Sequence, residues 1–419
     1  MSPVRRSAIF YGWRVVSAAF VLAACGWGMG FYGPPIFLHA VQSARGWPLA
    51  LVSTAVTAHF LVGAATVANL PALYRRFGLP TVTRAGAVSL AAGVLGWATA
   101  VEPWQLFVAT IFSGAGWVAL GAAAVNAIVS PWFVRNRAAA LAMAYNGASI
   151  GGVIFSPLWV TVIGLVGFAS AAAAIGAVVM LTMWILAGLL FSRAPHDMGL
   201  APDGDGAAVP AVRIVSASAR PLPRAALWRD LRFLTLALGM ALGLFVQVGL
   251  IAHLYSLLVP SLGADAAGFA MAAATAAAIA GRSLVGWFMP PGADRRLVAC
   301  ASYVVQIAGS IAFVAGAGTD VPLLLVGVLL FGAGIGNATS LPPLIAQVEF
   351  VPDDVPRVVS LIVAASQAAY SFAPAAFGLI REFAPAAGSA DAAAAPLVFA
   401  AAGLGQLLAI AAFLSGRRR

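Results

Sequence analysis

The sequence predicts an all-α membrane protein, twelve transmembrane helices arranged as two six-helix repeats. Three observations predict it. Of 419 residues, 62% are hydrophobic and only 9% are charged, where soluble domains carry about 25% charged residues. Twelve apolar stretches approach or exceed the roughly 20 residues that cross a hydrocarbon core as a helix. The 23 basic residues, all arginine, fall almost entirely in alternate connections between those stretches.

Taken in order, the first six spans read as residues 15–41, 49–72, 84–101, 104–129, 138–163 and 168–192. The last six read as 231–258, 265–288, 296–317, 321–346, 356–381 and 394–415. The first run is far longer than the apolar core of a signal peptide, so no cleavable leader is expected. Most connections are short. The exception, 193–230, is rich in Pro, Asp, Arg, Ala and Gly with no apolar period, and reads as a mobile linker. The chain thus divides into an N-terminal bundle (1–192), a linker (193–230) and a C-terminal bundle (231–419).

Charge gives the orientation. Twenty arginines collect on one side of the spans, and only Arg45 and Arg381 on the other. Lys/Arg-rich short loops stay in the cytoplasm, so both termini are expected there, in a multi-pass protein of the cell inner membrane. The 23rd arginine, Arg282, belongs to neither side and lies within span 8, in AAIAGRSLVGW. All 13 acidic residues fall in connections or at span ends, which leaves Arg282 without a carboxylate inside a span.

The same pattern excludes whole classes of function. A net charge of +10 spread over short inter-span tracts is no nucleic-acid surface. Cys25 and Cys300 have no metal-ligand spacing. There is no nucleophile elbow, zinc motif, P-loop lysine or intramembrane carboxylate pair, so neither an enzyme nor a cofactor is expected. The run GAGIG at 332–336 lies inside an apolar helix with no strand before it, and reads as close helix packing rather than nucleotide binding.

The halves echo each other. Span 5 follows Phe133, Val134 and Arg137 and carries Leu141, Asn146 and Pro157; span 11 follows Phe350, Val351 and Arg357 and carries Leu361, Gln367 and Pro374. Two parallel repeats place a substrate site near the midplane between them. Polar side chains at bilayer depth are costly unless paired or hydrated, so Tyr32, His59, Asn126, Asn146, Gln247, His253, Asn337, Gln367 and Tyr370 should face the interior. Each serves either a cavity or helix–helix hydrogen bonding. His59 and His253 could carry a coupling proton or be neutral structural residues. Spans 6 and 12 read as lipid-facing. Pro34, Pro157, Pro342, Pro343 and Pro374 should kink or break their spans.

Arg282 has two readings. Lying some six residues from the end of span 8, it could snorkel to the interface. Alternatively it faces a hydrated cavity, where its planar fork suits the carboxylate of an anionic substrate.

Four stretches carry a resemblance: GWRVV at 12–16, FYGPPIFL at 31–38, SPWFVRNRAAALAMA at 130–144 leading to NGASIGG at 146–152, and GRSLVGW at 281–287. With them the chain resembles the major facilitator superfamily, and within it the monocarboxylate transporter and oxalate/formate exchanger branch. That resemblance implies that Arg282 binds a substrate carboxylate. It also implies features this sequence lacks. The loop motif after spans 2 and 8 has Arg75 and Pro290 at its aspartate positions. An aspartate one turn before the arginine is here Ala278. The lysine of span 1 has no counterpart between Phe31 and Leu38, nor the second cation of the exchangers in span 11. One cation without an acid neutralises one negative charge.

The expected function is therefore secondary or facilitative transport of a small organic monocarboxylate by alternating access, by a protein acting as a monomer in the bilayer. The other readings are efflux of amphipathic compounds, with Arg282 structural, and a receptor or scaffold that binds without transporting.

Overall fold

A computed structural model describes residues 10–204, 227–290, 292–383 and 395–417. Arg5, Arg6, Arg213, Arg220, Arg224, Arg418 and Arg419, and linker residues 205–226, lie outside the described residues. The described chain is helical, with twelve candidate spans. Their helices run Tyr11–Gly30 with Gly33–Arg45 (span 1), Leu49–Phe77 (2), Leu79–Thr99 (3), Pro103–Ala119 with Ala122–Val129 (4), Arg137–Val166 (5) and Phe168–Leu189 (6). The rest are Leu231–Leu262 (7), Ala264–Phe288 (8), Arg295–Gly316 (9), Val321–Glu349 (10), Val355–Ser371 with Ala373–Phe383 (11) and Pro396–Ser415 (12). The twelve expected stretches all recur, since the backbone must satisfy its hydrogen bonds within each helix wherever lipid surrounds it.

The acidic residues at span ends have a local purpose. The carboxylates of Asp230, Asp294 and Asp320 cap spans 7, 9 and 10, accepting from the backbone N–H of Arg232 (2.8 Å), Arg296 (2.9 Å) and Leu323 (3.0 Å). Such caps supply partners to orphan N–H groups of a first turn. Prolines mark two of the three breaks. Span 1 is interrupted at Phe31 and Tyr32, just before Pro34, and span 11 at Phe372, just before Pro374. Pro157, Pro342 and Pro343 remain inside continuous helices.

Two expectations are corrected. The linker is not loose from its start: the Asp203 carboxylate accepts from the backbone N–H of Val134 (3.0 Å), Arg135 (2.9 Å) and Asn136 (3.2 Å), docking this stretch on the connection between spans 4 and 5. Span 12 is not wholly lipid-facing: Gln406 is fully buried and donates to Gln306 of span 9 at 3.3 Å. A lone glutamine in an apolar span would be costly in lipid and is turned to a polar partner instead.

The two ends of the molecule differ. At the arginine-poor end the halves share one apolar core, which joins most of the N-terminal bundle to the far portions of spans 7–12, including Leu254, Met271, Phe331 and Phe377. At the arginine-rich end the last six spans have a core of their own, built on Phe233, Tyr303, Ile345, Ile362 and Phe413. Accessibility along the helices agrees. On span 1, Arg14, Ser17 and Val21 are exposed and Ala24, Trp27 and Phe31 half-buried; Gly33–Leu38 are buried. On span 7, Leu231, Leu234 and Leu238 are exposed and Phe245 half-buried; Val246–Leu258 are buried. The halves are thus sealed at one end and parted at the other.

The seal is close. Thr57 of span 2 accepts from the backbone N–H of Ala375 at 3.0 Å. Glu382 accepts from the backbone N–H of Ala50, at the start of span 2. The rings of His39 and Tyr255 are 5.3 Å apart. A Cβ on Gly378 would lie 2.4 Å from Ser53 Oγ across the seam, so only glycine lets span 11 come this near. Gly378→Val is expected to hold the seal open. In a chain lacking native cysteines, with one cysteine at position 57, it should label severalfold faster with an impermeant maleimide added on the sealed side. Unchanged labelling would refute this role.

Candidate functional site

Spans 1, 5 and 8 meet where the seal gives way to the gap. A Cβ on Gly152 of span 5 would lie 2.6 Å from the Tyr32 ring and 2.8 Å from Thr275 Cγ2. Further toward the sealed end, Gly268 lies against Val160. From Thr275, seven residues along span 8 lead to Arg282, about 10 Å toward the arginine-rich end. Asn146 is six residues from Gly152 in the same direction along span 5, about 9 Å. Arg282 and Asn146 therefore stand at similar depth on helices of opposite halves.

Arg282 is turned into the protein. A Cβ on Gly336 of span 10 would lie 3.2 Å from Arg282 Cβ. Tyr32 stands across the gap from Arg282. Its side chain is half-buried, and its Nε is buried without a hydrogen-bond partner. Arg84 of span 3 also has a buried Nε without a hydrogen-bond partner, but its guanidinium lies over the Trp184 ring at 5.2 Å, and three further arginines are engaged. Arg232 pairs with Asp230 (2.6 Å), Arg296 with Glu349 (2.6 Å), and Arg381 donates to Ser256 Oγ (2.5 Å). An arginine whose Cβ faces Gly336 and whose Nε is buried is directed between helices and away from lipid.

The glycines of GAGIG set this geometry. A Cβ on Gly332 or Gly336 would lie 2.5 or 2.3 Å from the carbonyl oxygens of Ala274 and Ala278. They bring span 10 onto span 8 and place Asn337, buried with an unpartnered Oδ1, one residue from the Arg282 contact.

The other expected residues divide. Tyr32 sits at the break in span 1, and Tyr370 packs edge-on to Phe60 of the opposite half, centroids 5.9 Å apart. Asn146 is exposed and Gln367 half-buried. Asn126 serves a neighbour: its amide donates to the Ala122 carbonyl (3.0 Å) and to the Tyr145 hydroxyl, which itself donates to Ala122 O (3.0 Å).

Three expected cavity or coupling residues lie elsewhere. Gln247 is buried inside the second half and donates to Gln306 at 2.9 Å, because an amide midway along a packed helix takes the nearest polar partner. Gln306 and Gln406 went unnoticed in the sequence, where each is a single amide with nothing to show which way it faces. His59 is buried in the first half; its Nε2 donates to Gly30 O and its Nδ1 accepts from Ser113 Oγ, both at 2.8 Å. One ring proton satisfies both bonds, the mark of a structural histidine. His253 is buried in the sealed end, its Nε2 donating to Pro374 O at 3.0 Å.

The comparisons with known proteins agree with this architecture. No curated protein matches the chain in sequence. Among solved structures, the nucleoside transporter NupG superposes with a TM-score of 0.72 at 14% identity, over 97% of this chain and 98% of that one. A bacterial homologue of the human lysosomal transporter Spinster, in an inward-facing and occupied conformation, superposes with a TM-score of 0.70 at 15% identity, over 98% of this chain and 97% of that one. These likenesses speak to the fold. The profile of the Major Facilitator Superfamily matches residues 16–374, and with twelve helical spans sealed at one end and parted at the other, the chain belongs to that superfamily of membrane transporters and is not an enzyme.

Proposed function

We propose that the protein moves a small organic monocarboxylate by alternating access, with Arg282 as the group that binds the carboxylate. The observation that supports this most is the unpartnered Nε of a half-buried arginine set between the two halves. An arginine at helix centre costs about 2.5–3.5 kcal/mol on insertion scales. A carboxylate offers that guanidinium two parallel hydrogen bonds and an opposite charge. No described acidic residue pairs with Arg282, so one cation awaits one anion, which favours a monocarboxylate over a dicarboxylate.

Tyr32, Asn146, Asn337, Gln367 and Tyr370 would complete the site, and Asn126 would steady Tyr145. With the arginine-rich side in the cytoplasm, the gap opens inward, as suits an inner-membrane carrier whose termini are cytoplasmic. Binding would draw spans 5 and 8 together around Arg282, and release of the seal would expose the same site to the other side.

The test is a thermal-shift screen of the purified protein against small carboxylates. A ligand at 100 times its dissociation constant adds about 2.7 kcal/mol to the folded state. Monocarboxylates should raise the melting temperature and dicarboxylates of similar size should not. Stabilisation by amphipathic cations, with none by any monocarboxylate, would overturn the reading in favour of efflux.

A further inference from the structure

The wall opposite Arg282 is aromatic. Trp27 lies five residues before Tyr32, about 7–8 Å toward the arginine-rich end, and Tyr145 seven residues before Gly152, about 10 Å in the same direction. Both therefore stand near the depth of Arg282. Their rings meet edge-to-face, centroids 6.4 Å apart at 89°. Behind them Trp117 backs Trp27 at 5.7 Å and 89°. Above them Phe31 and Tyr32, 5.2 Å apart, close the gap toward the seal.

This wall is fixed in place. The Tyr145 hydroxyl is held by Ala122 O and Asn126. Trp27 is half-buried on the stripe of span 1 that stays accessible up to Phe31. The first half thus offers a rigid π-surface at the level where the second half offers a cation. A ligand touching both needs a carboxylate at one end and a flat apolar body at the other. The lid of Phe31 and Tyr32 lies roughly 10 Å along the helices from the level of Arg282, which favours a short, compact ligand over a long acyl chain.

Resting on the carboxylate reading above, we infer that the substrate is an aryl monocarboxylate whose ring packs into the corner between Trp27 and Tyr145, face-on to one and edge-on to the other, while its carboxylate pairs with Arg282. Stacked and edge-on aromatic pairs gain beyond simple area burial, so the wall distinguishes a flat ring from a saturated one. A ligand bound this way also bridges the halves, which is what draws an open gap closed.

The experiment is calorimetric titration of the full chain with acetate, cyclohexylacetate and phenylacetate. Phenylacetate should bind at least about tenfold more tightly than acetate, as expected for one buried ring, and severalfold more tightly than cyclohexylacetate. Trp27→Leu should erase the preference over cyclohexylacetate, and Trp27→Phe, which keeps a ring, should retain it. Equal affinities for the three acids, or a preference that survives in Trp27→Leu, would overturn the aryl inference while leaving the carboxylate reading intact. Binding of none of the three would overturn both. Should Trp27→Leu not fold, Tyr145→Leu makes the same measurement from the other ring.

Discussion

Arg282→Ala is expected to lose carboxylate transport while keeping its thermal stability, or gaining some. The two halves of this expectation have different causes. Truncating one partner of a buried, hydrogen-bonded charge pair costs about 2–5 kcal/mol in binding, a loss of about 30-fold to several thousandfold. Uptake into proteoliposomes should fall to background at concentrations that saturate the unaltered protein. The empty carrier, by contrast, holds a half-buried guanidinium whose Nε has no partner, and removing it relieves a desolvation cost. Functional groups that destabilise the unliganded protein behave this way. Arg282→Lys keeps the charge but loses the planar fork, so it should retain weakened transport. Undiminished uptake by Arg282→Ala in folded protein would refute the mechanism. A large fall in melting temperature would show Arg282 to be a packing residue.

The second large effect concerns Arg296, whose side chain is 1% exposed. Its guanidinium is among the most heavily engaged groups in the protein. It bonds both Glu349 oxygens (2.6 and 2.8 Å), Thr235 Oγ1 (3.1 Å), Phe413 O (3.1 Å) and Arg232 O (3.0 Å). Spans 7, 9, 10 and 12 are tied at one point. Arg296→Ala leaves the Glu349 carboxylate, 18% exposed, without its partner, and should cost about 3–5 kcal/mol of stability. Glu349→Ala should cost a comparable amount by stranding the guanidinium. The pair Arg296→Met with Glu349→Leu should recover much of the loss, because buried ion pairs replaced by well-packed apolar side chains are often tolerated. Melting of the purified variants in one detergent measures all three. Single variants as stable as the unaltered protein would refute this role.

These two arginines show what is legible in a sequence of this kind. Arg282 stood out because charge accounting left it alone in an apolar run. Arg296 did not: it falls in an arginine-bearing connection like any other, and its partner lies 53 positions away. Span positions were readable because backbone satisfaction in lipid demands long apolar helices. Which face of a span meets which neighbour was less so. Gln247 read as a cavity residue because a lone amide in a span must find polar company; that the company is Gln306 follows only from packing. His59 likewise carried no sign that Gly30 and Ser113 would engage both its nitrogens. Trp27 escaped notice for the opposite reason, since an aromatic residue in an apolar span looks like ordinary packing until its depth is compared with that of Arg282.

The shared apolar core at the sealed end also bears on temperature. Opening that end wets surface now buried between the halves, and burial of such surface is driven near room temperature by water entropy, with a large heat-capacity change. Cooling weakens that drive. The unloaded carrier should therefore drift toward its other state in the cold, and its reorientation should follow a curved Arrhenius plot even where the binding step itself does not.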